Sequence, residues 1–80
     1  MTLKDGIIGK TYVVKNINLE IHIMRRLEAI GLNDGTKVAV VNRKTNGTMI
    51  IKTRGTRWAV GRALTAGITV DEVAYEQANK

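Results

Sequence analysis

The chain has 80 residues, a formal net charge of +6, and no cysteine or proline. That length allows a single domain with a thin core, about 60% of its unfolded surface being buried on folding. The missing cysteines exclude disulfides, thiolate zinc sites, iron–sulfur clusters and thiol nucleophiles, and they fit a reducing compartment.

Met1–Gly6 holds no long apolar run, so no secretory signal is expected. No stretch approaches the roughly 18 apolar residues that cross a bilayer. Leu3–Ile8 reads as a lead-in, with Gly6 and Gly9 as breakers. Lys10–Ile17 is rich in β-branched residues and predicts a first strand. Asn18 then offers a side-chain oxygen to cap a helix, with Glu20 near the positive end of its dipole. Within that helix Ile23, Met24, Leu27 and Ile30 form one apolar stripe, expected to face the core. His22, Arg25, Arg26 and Glu28 lie off the stripe. Gly31 suits the left-handed position that ends a helix, and Leu32 can fold back on the last turn.

After the Asn33-Asp34-Gly35 turn, Thr36–Arg43 predicts a second strand. Asn46-Gly47 is a hairpin signal. Thr48–Arg54 predicts a third strand, with Met49 and Ile51 on one face and Ile50, Lys52 and Arg54 on the other. Gly55-Thr56 reads as a tight turn. Arg57–Arg62 predicts a fourth strand, with Trp58 and Val60 on one face. Leu64–Gly67 reads as one helical turn and Ile68–Val70 as a short fifth strand that covers an exposed edge. Residues 71–80 read as a tail with room for flexibility, Val73–Lys80 having weak helical or disordered character. Residues 1–80 thus form one domain. Its class is mainly β: a small SH3-like barrel of about five strands with one short α-helix between the first two. An OB-type barrel normally wants longer strands and a helix between strands three and four.

Catalytic constellations are missing. With one histidine, no serine and no cysteine, Ser–His–Asp and Cys–His catalysis are excluded. The seven acids are scattered, with Asp5, Asp34 and Asp71 read as turn residues. His22 has no company of ligands and reads as a surface residue, so no metal site or cofactor is expected. Gly9-Lys10-Thr11 fails as a phosphate loop: Lys4 stands where the first glycine belongs, and a strand follows instead of a helix.

The charge distribution is uneven. Lys37, Arg43, Lys44, Lys52, Arg54, Arg57 and Arg62 follow one another with no acid between them. Such a surface suits nucleic acid, an anionic membrane face or an acidic protein. A base-stacking groove could draw only on Tyr12, Trp58 and Tyr75, and Trp58 turns inward if Val60 does. The arginines Arg25, Arg26, Arg54 and Arg57 are the candidate partner-binding residues, because planar guanidinium groups match carboxylates.

Several segments resemble the FeoA family, ferrous iron transport protein A. Arg25–Thr36 is similar to its Arg-Leu helix, Gly-Leu stop and Gly-Thr turn. Gly9–Val14 is similar to its opening strand, Gly55–Val60 to its Gly-x-x-hydrophobic-Ala-hydrophobic strand, and Leu64–Val70 to its closing Ala-x-x-Ile-x-Val. Glu28, Asp34 and Gly61 depart from the pattern without breaking the fold. The resemblance implies a small cytoplasmic, non-enzymatic accessory that needs no iron site of its own. Its partner would be FeoB, the membrane ferrous-iron transporter with a G-protein domain; no DNA is expected. A basic barrel that binds nucleic acid is the alternative. An arginine finger acting on a GTPase is a third reading, for which no single arginine stands out.

Overall fold

A computed structural model describes residues 1–73. Five strands form one antiparallel sheet in the order β4-β3-β2-β1-β5. They are β1 (Thr11–Ile17), β2 (Lys37–Arg43), β3 (Met49–Thr53), β4 (Thr56–Val60) and β5 (Ile68–Glu72). Helix α1 (Ile21–Ala29) lies between β1 and β2, and the single turn α2 (Arg62–Thr65) between β4 and β5.

All five strands feed a single core. Tyr12 and Val14, Val38 and Val40, Met49 and Ile51, Val60, and Ile68 and Val70 join Leu3, Leu27 and Leu32. A flat sheet could not bring side chains from both outer strands into one cluster, so this sheet curls into a barrel. Leu3 is fully buried within a 3-10 turn at Leu3–Asp5, which makes the lead-in part of the core.

Several local details differ from the sequence expectation. The helix cap is Glu20, whose carboxylate accepts the His22 N–H at 2.9 Å. Asn18 has another role: its N–H donates to the Gly67 carbonyl at 2.7 Å. Glu20 stands at the N-cap position, two residues before the N–H it accepts, whereas Asn18 lies two residues further from the helix. Of the apolar stripe only Leu27 is buried; Ile23 and Ile30 are partly buried against the core, and Met24 lines a cleft. A helix on the rim of a small barrel covers the core with a narrow line of contact.

Gly31 has φ +97°, and Leu32 returns its N–H to the Leu27 carbonyl at 2.9 Å. Both features match the expected helix stop. The Asn46-Gly47 hairpin forms as a three-residue loop: Gly47 donates to the Lys44 carbonyl and Lys44 to Thr48. Only Gly47 is left-handed, so this is the type I turn with a glycine bulge.

The last hairpin turns one residue earlier than expected. Thr53 pairs with Thr56, which leaves Arg54 and Gly55 as the two turn residues. Both have positive φ, +52° and +81°, the type I′ pattern. Among the described residues Arg54 is the one non-glycine residue in that region, at a cost of about 1 kcal/mol. At the other end, β5 runs on to Glu72, so Asp71 and Glu72 are strand residues. The remainder of the expected tail, 74–80, lies outside the described residues.

The outer strands of the sheet are treated differently. On β5, Val70 donates to the Met1 carbonyl at 2.8 Å and Thr2 bridges Thr69, covering that edge. On β4, no backbone bond beyond those to β3 is made among the described residues.

Candidate basic interaction surface

The β3–β4 hairpin owes its surface to simple alternation. Ile51 pairs with Trp58, facing inward, and Lys52 pairs with Arg57, facing outward. Ile51 is fully buried, while Lys52 and Arg57 are exposed. Two like charges directly opposite each other weaken a ladder. No acid lies within ion-pair distance of either among the described residues. The charges of this pair therefore oppose the ladder instead of supporting it. A counter-charge has to come from solvent or from a partner.

Arg54 is placed by the turn geometry. Its Nε donates to the Gly31 carbonyl at 3.3 Å, at the C-terminal end of α1. A cation there complements both the last free carbonyls and the negative end of the dipole. The same turn of helix includes the Arg26 carbonyl, which accepts from Ile30. The hairpin tip and the α1 end thus abut. Arg25 and Arg26 are exposed on α1, because the Leu27 side faces the sheet. Of the four arginines singled out from the sequence, the fold links Arg54 to the end of the helix that carries Arg25 and Arg26. Arg57 stands apart, opposite Lys52.

The acids lie elsewhere. Lys10, just before β1, forms an ion pair with Glu72 of β5 at 3.4 Å, and Lys15 of β1 forms one with Asp71 of β5 at 3.4 Å. Asp71 is thus a strand partner rather than the expected turn residue. Glu28 and Asp34 join Asn16, Ile17, Met24 and Asn33 around a cleft of ≈ 440 Å³. Sequence reasoning missed this cleft, because its walls come from β1, α1 and the following turn. No linear spacing encodes it.

The other candidates resolve into structure. Tyr12 is buried, its hydroxyl accepting the Ile7 N–H at 2.9 Å. Trp58 packs half-buried on the core, its indole Nε1 shielded and without an acceptor. Tyr75 lies outside the described residues. Among the described residues, then, no exposed aromatic platform accompanies the basic strands. His22 is exposed, 3.8 Å from Glu20, and no group of three metal-ligating side chains occurs among the described residues. Among the described residues, no helix is long and apolar enough to cross a membrane. Gly9 closes a turn that leads straight into β1, the arrangement that a phosphate loop does not have.

A curled five-stranded antiparallel sheet with a helix inserted after its first strand, and a basic outer hairpin, defines an SH3-like barrel domain. Residues 1–72 match the family model of the FeoA domain, and the chain belongs to the FeoA family. It is 38% identical over 72 residues to a Methanocaldococcus jannaschii protein described provisionally as Fe(2+) transport protein A, covering 90% of this chain and 87% of that one. Its fold is similar to the FeoA protein from Chlorobium tepidum, with TM-score 0.87 and 28% identity over 92% of this chain and 71% of that one. It is also similar to Stenotrophomonas maltophilia FeoA complexed with zinc, with TM-score 0.76 and 26% identity, covering 89% of each chain. That protein is described as a prokaryotic SH3 domain protein and a suggested activating factor for ferrous iron transport.

Proposed function

We propose that this chain is a non-enzymatic accessory of ferrous iron uptake, which acts in the cytoplasm by binding a FeoB-type membrane transporter. The observation that carries this reading is the exposed basic surface without internal counter-charges, on a chain of the FeoA family. Arg25, Arg26, Arg54 and Arg57 are the residues assigned to the contact, with carboxylates on the partner as their targets. The description of the Stenotrophomonas protein supports a role in transport activation. Rim charges of this kind steer association and set its salt dependence more than its final affinity.

Capture of the tagged protein's partners from detergent-solubilised membranes and cytosolic extract tests this. Recovery of the transporter is expected. Recovery of nucleic acid alone, lost as salt rises, would replace this reading with the nucleic-acid one. Changing Arg25 and Arg26 together to alanine should leave unfolding within about 0.5 kcal/mol of the parent, since both are exposed. The same change should slow association with the transporter. An unchanged association rate removes that face from the contact.

A further inference from the structure

The β4 edge offers more than charge. Thr53 and Thr56 close a two-residue hairpin, so they form a hydrogen-bonded pair. Antiparallel ladders alternate, which makes Lys52–Arg57 and Ile50–Ala59 the non-hydrogen-bonded pairs. The N–H and C=O groups of Arg57 and Ala59 consequently point away from β3, toward the open side. Nothing among the described residues takes them up.

We infer that this edge receives an extended acidic segment of a partner protein as a sixth strand. The inference rests on the reading of the chain as an interaction module and names the kind of segment it takes. Main-chain bonds at Arg57 and Ala59 would supply the pairing, as in other cases of strand addition. Side chains of the added strand opposite those two residues lie on the outer face, beside Arg57. The residue between them lies on the inner face, beside half-buried Trp58. The matching pattern is acid–apolar–acid.

Charge decides between occupants. The stretch from Thr36 to Val70 contains no acid, and Lys52, Arg54, Arg57 and Arg62 all lie on or beside the hairpin. A second copy of this chain docked edge to edge would bring two such sets together. A basic strand would do the same. An acidic strand supplies the missing partner for the Lys52–Arg57 pair.

The test is an amide NMR titration of the intact protein at low salt, using a short peptide that alternates glutamate with valine. A lysine–valine peptide serves as the control. The glutamate peptide is expected to shift the Arg57 and Ala59 amides, slow their exchange with solvent, and bind about tenfold more tightly than the control. Ala59→Pro removes one outward donor without taking a bond from β3, and should abolish the shifts at Arg57. Arg57→Glu, which leaves the backbone untouched, should reverse the preference between the peptides. Equal binding of both peptides overturns the inference. So do shifts confined to α1 or to the Glu28–Asp34 cleft, or shifts that follow the protein's own concentration. No transporter is present in this titration. A failed titration with transporter capture intact sinks the strand alone, and the converse sinks only the transporter reading.

Discussion

The two edges of the sheet are built from similar material and finished in opposite ways. At β5 the chain's own Met1 and Thr2 take up the outer backbone groups, and Lys10–Glu72 and Lys15–Asp71 balance the charges on the adjoining strands. At β4 the outward groups of Arg57 and Ala59 stay open, and the cations around them have no acid within reach among the described residues. Proteins blunt free edges with charge to prevent self-pairing. Here the charge is of one sign only. It repels a second copy and attracts an acidic strand, so one arrangement gives both protection and selectivity.

This contrast can be broken or sharpened by substitution. The largest effect is expected from Ile51→Ala, at the fully buried centre of β3. It should cost about 2–5 kcal/mol in urea unfolding. The whole domain is worth about 4–12 kcal/mol. A cost below about 1 kcal/mol would mean that the open hairpin is not anchored in the shared core. Next comes Gly67→Ala, on the closed side. A Cβ there would run into the Leu19 side chain and lie 3.0 Å from the Asn18 carbonyl. Overpacking at that junction should cost about 1–3 kcal/mol in thermal unfolding.

Thr53→Val tests the turn end of the open hairpin. Thr53 Oγ1 donates to the Lys37 carbonyl at 3.0 Å, from a buried position. Its loss should cost about 1 kcal/mol and raise exchange at the hairpin amides first. The smallest effect separates the edges most directly. Asp71→Asn breaks an exposed ion pair and should cost under about 1 kcal/mol at low salt, and less at high salt. Arg57→Gln should cost nothing or stabilise slightly, because it relieves repulsion from Lys52. Destabilisation by Arg57→Gln in low salt would show that Arg57 has an internal partner after all.

Much of the fold could be read in the sequence because its signals are local. Alternation in Thr48–Arg54 placed Met49 and Ile51 inside, where they are buried. Gly31 and Leu32 marked the helix stop for a backbone reason, since glycine adopts the left-handed position without strain. The turn at Arg54-Gly55 was off by one, because an arginine at positive φ carries no sequence signal. Its compensation, the bond to Gly31, comes from a segment 23 residues away. Asn18 looked like a cap by residue type, yet its N–H pairs with Gly67, a partner that only folding brings near.

The candidate site divides along the same line. The sequence alone determined that the chain is a small β domain with a helix after its first strand, carrying a long basic stretch and no serine, cysteine or second histidine. Those properties follow from residue type and short-range period. Only the tertiary structure decided that Lys52 faces Arg57, that Tyr12 is inside, that Arg54 braces the end of α1, and that among the described residues β5 is covered while β4 is open. Strand neighbours and edges are relations between distant segments. They are set by the way five short strands close around one core, and no window of sequence contains them.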